Sequence, residues 1–312
     1  MITLTLDTTS QKISSNHIIV CIPAFNEEKY IKEIINKAKT FATEVVVYDD
    51  GSVDKTAEVA GESGAFVIRN SQNKGYGKAL SELFKYSIKR NAHIMVTLDS
   101  DGQHDANQIP TIIEPLLKNQ ADIVIGSRFL KEEDTKHVPS YRSFGIRAIT
   151  RVTRVACYNK LTDAQSGFRA YNLSAMSNLK LYEDGMAIST EILLKANENN
   201  LRIVEVPITV TYNGDGSTHH PISHGAAIIG HILRYLSFKK PLLFYGLPGL
   251  ILLAVSSIFM YNALDLFSST RFVSTNMIII SLGLAIMGIL LLATSAIVYT
   301  LITLFKGKLK EV

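Results

Sequence analysis

Short apolar runs alternate with amphipathic segments along the N-terminal part of this chain. Five of the runs have the length and apolar character of buried strands: 17–22, 44–48, 65–69, 93–98 and 123–125. Apolar residues at helical spacing follow the first run, at Ile31, Ile34, Ile35 and Ala38. Strands that alternate with helices of this length predict an α/β fold with a doubly wound, mostly parallel sheet.

The alternation weakens after residue 128. There the pattern predicts helices at 140–160 and 189–199. It also predicts a turn that enters a short strand at 163–169, and a further strand at 203–212. The segment 213–224 is a loop rich in glycine and histidine. Apolar positions and a basic end in 225–240 predict an interfacial helix that lies against a membrane.

Two apolar runs near the C-terminus, 241–264 and 277–305, are long enough to cross the roughly 30 Å hydrocarbon core of a bilayer. A buried helical hairpin is the alternative, but such length with almost no charge favours two transmembrane helices. Basic residues lie outside the pair at both ends: Arg234, Lys239, Lys240, Lys306, Lys308 and Lys310. Because positive charge accumulates on the cytoplasmic side, we predict a cell-membrane protein with both termini and the N-terminal domain in the cytoplasm.

These patterns divide the 312 residues into four parts. Residues 1–16 are a flexible extension without the features of a signal peptide. The α/β domain covers 17–224, the interfacial helix 225–240 and the membrane hairpin 241–312. A net charge of +4, scattered along the chain, indicates no nucleic-acid partner, and two cysteines exclude a disulfide framework. The oligomeric state stays open.

The segment from Asp99 to Gln103 carries the most specific chemistry. It follows the apolar run 93–98, at the strand end where open α/β sheets bind their ligands. Asp99 and Asp101 are two residues apart, so their carboxylates share one side of an extended segment. Carboxylate and carbonyl oxygens suit Mg²⁺ or Mn²⁺. A solvated turn is the alternative interpretation.

Neighbouring strand exits carry residues suited to a nucleotide. Glu27 and either Asp49 or Asp50 are placed to accept hydrogen bonds from a base and a ribose, with helix capping as the alternative. Gly75 and Gly77 allow backbone to approach a diphosphate closely, and Lys74 lies beside them.

Taken in order, these motifs resemble the family 2 glycosyltransferases of GT-A fold. The resemblance covers roughly 17–212 and rests on five motifs: Pro23–Glu28, Asp49–Ser52 with Asp54 and Thr56, Asn73–Gly75 with Gly77 and Ala79, Asp99–Asp101, and Gly126–Arg128 with Asp163–Arg169. The last of these is similar to the dolichyl or polyprenyl phosphate sugar synthases. We therefore expect a GT-A domain that is anchored by a two-helix transmembrane hairpin.

The resemblance implies roles for individual residues. Asp99, Asp101 and Gln103 would bind Mg²⁺ or Mn²⁺, and Arg128 and Arg142 would clamp an acceptor phosphate. Asp163 and Gln165 would line the sugar or acceptor side; Arg169 would either contribute there or pair with Asp163. Glu191 would contact sugar hydroxyls or cap its helix. The expected catalytic set is Asp101, Arg128, Arg142 and Asp163, and the expected substrate-binding set is Pro23, Phe25, Glu27, Asp49, Asp50, Lys74, Gly75, Asp99, Gln165, Arg169 and Glu191.

Two further features have open interpretations. Arg147, Arg151 and Arg154 form one basic stripe if 140–160 is helical, which indicates either a solvated face or a surface that attracts lipid phosphate. His219, His220 and His224 lack a recognised zinc-ligand spacing, and a loop that covers the donor is the preferred interpretation.

The expected function is sugar transfer from a nucleotide diphosphate sugar to dolichyl or polyprenyl phosphate on the cytoplasmic leaflet. The alternatives are a glycosyltransferase with another lipid or glycan acceptor, or an inactive membrane subunit that binds nucleotide sugar. The same motifs fit GDP-mannose, UDP-glucose and UDP-N-acetylglucosamine, so the donor stays open.

Overall fold

The computed structural model describes residues 16–131, 140–157, 161–211, 230 and 233–308. The chain divides into two compact units, Met1–Ile229 and Gly230–Val312. The predicted extension 1–16 (apart from Asn16) and the predicted loop 213–224 lie outside the described residues.

The first unit is built on one seven-stranded sheet. Its strands are β1 (Ile18–Ala24), β2 (Glu44–Asp49), β3 (Phe66–Arg69), β4 (Ile94–Thr97), β5 (Ile123–Ser127), β6 (Arg169–Asn172) and β7 (Ile203–Pro207). They lie in the order β3-β2-β1-β4-β6-β5-β7, and only the pairs that include β6 are antiparallel. The prediction of a mostly parallel α/β sheet is therefore confirmed.

Helices pack around the sheet, several of them through an apolar stripe. The described helices of this unit are α1 (Ile31–Ala38), α2 (Thr56–Glu62), α3 (Tyr76–Lys89), α4 (Ile109–Leu117), α5 (Ser140–Cys157), α6 (Leu173–Asn178) and α7 (Ile188–Glu198). The stripe of α1 is buried against β1 and its neighbours, as expected. Strands β1 and β4 are buried along their whole length, as parallel strands covered on both faces are.

The second unit is a helical hairpin. A short π-helical turn, Leu242–Gly246, leads into α8 (Leu247–Thr270), and α9 (Thr275–Lys308) returns. Both helices are long and apolar enough to cross a membrane, and most of their surface is exposed. Before them, residues 233–239 are helical, which covers part of the predicted interfacial helix.

Small residues join the two long helices. Added Cβ atoms at Gly249 and Gly288 would lie 3.0 and 2.9 Å from the carbonyl oxygen of the opposite glycine. Ser256 Oγ donates to the Ser281 carbonyl at 2.8 Å, and Ser281 Oγ donates back to Ser256 at 3.0 Å. Small residues and shared hydrogen bonds of this kind hold membrane helices together where lipid competes for apolar contacts.

Candidate active site

Several of the residues singled out from the sequence gather at one edge of the sheet. β2, β1 and β4 are neighbours and run in parallel, so the loops that follow them lie side by side. Those loops carry Asp50, Glu27 and Asp99. β5 runs in the same direction and ends at Ser127, and the antiparallel β6 begins at this edge with Arg169. The exits of β1, β2, β4 and β5 and the start of β6 thus meet at one edge of the sheet.

The Asp99 carboxylate is held from three sides. The Tyr76 hydroxyl donates to Oδ1 at 3.1 Å, and His104 Nε2 lies 3.6 Å from Oδ2. Gly167 packs directly against the carboxylate, where an added Cβ would overlap it. Burial raises the pKa of Asp99, but contacts with His104, Tyr76 and the charge of Arg128 outweigh it and bring the pKa below its usual range.

Asp101 and Gln103 follow in a tight turn. Gln103 N donates to Asp101 Oδ1 at 3.0 Å. Gly102 has a φ of +72°, and an added Cβ would lie 3.0 Å from the Tyr30 ring, so only glycine fits here without strain. Burial and the carboxylates of Asp101, Asp54 and Asp99 raise the pKa of Glu27 to about 7. The loops after β1 and β4 therefore concentrate negative charge.

This charge suits a divalent cation. Within the described residues, no three His, Cys, Asp or Glu side chains form a ready metal cage. Mg²⁺ sites in nucleotide enzymes do not need one, because one or two carboxylates and the substrate phosphates suffice. Asp99, Asp101 and the Gln103 carboxamide supply oxygen donors, and the negative charges of Asp101 and Asp99 add to burial in raising the pKa of Glu27. The residues present fit Mg²⁺ or Mn²⁺.

Asp49 and Asp50, at the end of β2, organise the neighbouring loops. Asp50 accepts hydrogen bonds from Lys74 N at 3.0 Å and Gly75 N at 2.7 Å. Asp49 Oδ1 accepts from Ser52 N at 3.1 Å, and its Oδ2 lies 3.1 Å from Arg69 Nε. Both carboxylates thus have protein partners, and their predicted contacts with a nucleotide stay predictions.

The glycines at 75 and 77 face protein backbone. An added Cβ at Gly75 would lie 2.5 Å from the Asp184 carbonyl oxygen, and one at Gly77 would overlap the Glu183 carbonyl. Gly77 N and Lys78 N donate to the Asp184 oxygen at 2.8 and 3.2 Å. The close approach that these glycines allow in the structure is that of the segment 183–185, and their predicted proximity to a diphosphate stays a prediction.

Arg128 and Asp163 form a buried bidentate pair. Arg128 Nε lies 2.6 Å from Oδ2 and Nη2 lies 2.8 Å from Oδ1, with side chains 11% and 0% exposed. Burial raises the pKa of Asp163, but the Arg128 charge outweighs it and the pKa falls below its usual range. Glu205 anchors the turn by accepting hydrogen bonds from Thr162 N and Asp163 N, both at 2.8 Å. Sequence reasoning missed Glu205, although an acidic residue within the apolar run of β7 was a usable signal.

Arg169 is held by backbone. Its guanidinium donates to the carbonyl oxygens of Ser166, Ala164 and Ser189 at 2.8, 2.8 and 3.1 Å. The alternative that it pairs with Asp163 is wrong, because Arg128 occupies both oxygens of that carboxylate. Gln165 Nε2 lies 3.4 Å from the Thr190 hydroxyl at the start of α7.

Glu191 lies in the first turn of α7 and faces a neighbouring loop. Its carboxylate accepts hydrogen bonds from Tyr182 N at 3.1 Å and Glu183 N at 3.0 Å, and Lys195 Nζ lies 2.8 Å from Oε1. The alternative that Glu191 caps its own helix is therefore wrong. A contact with sugar hydroxyls stays a prediction.

The remaining predicted residues have simpler surroundings. Pro23 is buried in β1, and Phe25 is 41% exposed just beyond it. The side chain of Arg142 and all of His219, His220 and His224 lie outside the described residues.

The basic stripe divides into different environments. The Arg147 guanidinium lies 5.4 Å from the centre of the Phe129 ring, which Arg128 approaches at 5.9 Å. Arg154 Nε donates to the Leu161 carbonyl. Arg151 is exposed. Arg147 is thus the member of the stripe that lies beside the Phe129 ring, which Arg128 also approaches.

Comparisons with known proteins agree on one family. The model of glycosyl transferase family 2 matches residues 19–179. A UDP-N-acetylglucosamine–dolichyl-phosphate N-acetylglucosaminyltransferase of Methanococcus voltae is 32% identical over 62% of this chain and 86% of its own length. A dolichol-phosphate mannosyltransferase of Pyrococcus furiosus is 31% identical over 71% of this chain and 64% of its own.

A solved structure has the same fold. The glucosyl-3-phosphoglycerate synthase of Mycobacterium tuberculosis, in complex with Mn²⁺, UDP and glucosyl-3-phosphoglycerate, superposes with a TM-score of 0.60. The match covers 73% of this chain and 83% of that one, at 20% identity. The GT-A architecture expected from the motifs is confirmed.

Proposed function

Because this chain belongs to the family 2 glycosyltransferases, we propose that it transfers a sugar from a nucleotide diphosphate sugar to dolichyl or polyprenyl phosphate at the cytoplasmic leaflet. The observation that carries the proposal is the edge of the sheet. There the acidic cluster of Glu27, Asp99 and Asp101, suited to a cation and a diphosphate, lies beside the Arg128–Asp163 pair. Relatives named for transfer to dolichyl phosphate support the choice of acceptor.

In this reaction an oxygen of the lipid phosphate attacks the anomeric carbon as the bond to the nucleoside diphosphate breaks, with inversion at that carbon. A phosphate monoester has a second pKa near 6, so it is largely ionised at neutral pH and needs no general base. Asp99, Asp101 and Gln103 would hold Mg²⁺ or Mn²⁺, which supplies positive charge to the departing diphosphate.

On the acceptor side, Arg128 and Arg142 would bind the lipid phosphate. Arg128 is preorganised for this because Asp163 fixes the plane of its guanidinium through two hydrogen bonds. The same pairing compensates its charge, so further cations are required to attract the acceptor dianion. Arg147, beside Phe129, is a described candidate.

Purified full-length protein in liposomes tests the reaction. We expect radiolabel from one of GDP-mannose, UDP-glucose or UDP-N-acetylglucosamine to enter polyprenyl phosphate, EDTA to stop transfer, and Mg²⁺ or Mn²⁺ to restore it. The donor that labels the lipid identifies the sugar. Binding of a nucleotide sugar without transfer to any lipid would instead identify an inactive subunit.

Membrane orientation is tested separately. In a variant without Cys21 and Cys157, a cysteine at Ser269, near the end of α8, should react with an impermeant reagent from outside intact cells. A cysteine at Glu311 should react only after permeabilisation. The reverse labelling pattern would place the GT-A domain outside the cytoplasm.

A further inference from the structure

The hydroxyl that contacts Asp99 belongs to the first residue of α3. Tyr76 follows Gly75, whose φ of +99° turns the chain into the helix. The next two N–H groups, those of Gly77 and Lys78, donate to the carbonyl oxygen of Asp184. The turn that presents Tyr76 is therefore attached to a segment distant in the sequence.

That segment is anchored by a buried carboxylate. The side chain of Glu191 is 6% exposed and accepts hydrogen bonds from the backbone of Tyr182 and Glu183. Lys195 pairs with it and also lies 3.9 Å from the centre of the Tyr182 ring. A continuous series of contacts thus runs from α7, through residues 182–184, to the start of α3 and on to Asp99.

We propose that Tyr76 is a positioning residue for the cation site: its hydroxyl holds the Asp99 carboxylate in the orientation that binds a divalent cation, and Glu191 supports Tyr76 through the segment 182–184. The inference rests on the proposed function, since it assumes that Asp99 is a metal ligand. Mutation of a residue that is hydrogen-bonded to a metal ligand typically lowers metal affinity by about 10–100-fold.

Tyr76→Phe in the full-length protein tests the inference, because it removes only the hydroxyl. Mn²⁺ binding is measured by electron paramagnetic resonance of free Mn²⁺, with UDP and with GDP in parallel and without acceptor. We expect Mn²⁺ affinity to fall by about 10-fold or more. In transfer assays the half-saturating Mn²⁺ concentration should rise by a similar factor, while the KM for polyprenyl phosphate stays constant.

Tyr86→Phe is the matched control. Tyr86 lies on the same helix, and its hydroxyl also donates to a carboxylate, that of Glu44 at 2.5 Å, remote from the strand exits. The control should keep the wild-type Mn²⁺ affinity. Equal Mn²⁺ affinity in Tyr76→Phe and wild type would overturn the inference, even if the melting temperature fell, because the hydroxyl would then serve stability alone.

The role of Glu191 is tested by a double variant. Glu191→Gln should weaken Mn²⁺ binding less than Tyr76→Phe does, and the combination should be no weaker than Tyr76→Phe alone. If the losses of Mn²⁺ affinity in the two single variants add fully in the double variant, Glu191 does not act through Tyr76. A wild type that binds Mn²⁺ but transfers no sugar contradicts the proposed function alone. A wild type that binds no Mn²⁺ with either nucleotide contradicts both.

Discussion

The ligand-binding edge of the sheet has two halves with different arrangements of charge. We call the loops after β1 and β4 the acidic half, and the region of Arg128 and Asp163 after β5 the paired half. After β1 and β4, the carboxylates of Glu27, Asp99 and Asp101 lie close together, and burial and the neighbouring negative charges raise the pKa of Glu27 to about 7. After β5, the charge of Arg128 is matched by Asp163 within a buried pair. The first half gathers like charges, whereas the second joins opposite charges in one pair.

This difference separates residues that we expect to contribute to stability from residues that we expect to contribute to cation binding. A buried pair contributes order, and removal of one partner leaves an isolated buried charge. A cluster of like charges costs stability and binds cations strongly in return. We therefore expect changes in the acidic half to alter binding with little loss of stability, and changes in the paired half to do the reverse.

Asp101→Asn tests the acidic half most severely. We expect transfer to fall by about 10²-fold or more, because the diphosphate loses charge stabilisation. The melting temperature should stay constant or rise, because like-charge repulsion is relieved. Asp105→Asn is the control: Asp105 is a half-buried aspartate of the same loop that caps the turn Ala106–Gln108, and loss of its charge should leave transfer unchanged. A large loss of stability in Asp101→Asn would break the comparison.

Asp163→Asn tests the paired half. Removal of one partner from a buried pair costs about 3–5 kcal/mol, so the melting temperature should fall on the order of 10 °C. Asp122→Asn breaks a similar contact with Arg202, whose side chain is 49% exposed, and should cost less. Differential scanning fluorimetry in detergent measures both. Equal losses of melting temperature would mean that burial of the Arg128–Asp163 pair adds nothing to the stability that the pair contributes.

Arg147→Gln tests whether a cationic side chain other than Arg128 contributes to binding of the acceptor phosphate. Loss of one cation near anionic lipid costs about 1 kcal/mol, so the KM for polyprenyl phosphate should rise roughly fivefold with donor KM constant. Arg151 is exposed on the same helix, and Arg151→Gln should have a smaller effect. If both variants raise the KM equally, the stripe acts as a diffuse charged surface and Phe129 confers no special position on Arg147.

For Glu27, we predict the pH dependence of stability rather than that of transfer. With a pKa of about 7 in the folded protein against an ordinary value of 4.5, the metal-free folded state holds this proton more tightly than the unfolded chain. Its contribution to the free energy of unfolding is therefore complete below the unfolded pKa and is lost as pH rises through about 7.

The measurement compares wild type with Glu27→Gln. The melting temperature of metal-free wild type, relative to the variant, should decline from about pH 5 to about pH 8. Mn²⁺ should reduce the decline, because a bound cation lowers the pKa of Glu27. A constant difference across this range would show that the acidic half is not crowded in solution.

The sequence determined the parts of this protein that depend on periodicity and on chain order. Runs of β-branched residues predicted the strands β1, β2, β4 and β5 within a few residues, because such residues are buried on both faces of a parallel sheet. The apolar stripe Ile109, Ile112, Ile113 and Leu116 was equally readable as α4, but it was missed. The two apolar helices of the second unit followed from length and composition alone.

Only the tertiary structure decided which polar groups meet. Asp163 pairs with Arg128 rather than Arg169, because β6 lies antiparallel between β4 and β5 and the fold brings the exit of β5 to the turn before β6. The glycines before and within α3 admit the Asp184 carbonyl, which is more than a hundred residues away in the sequence. Hydrogen bonds over such separations have no periodic signature, since they depend on how the loops fold back on the sheet. The sequence thus identified polar residues of the site, and the tertiary structure determined which of them are in contact.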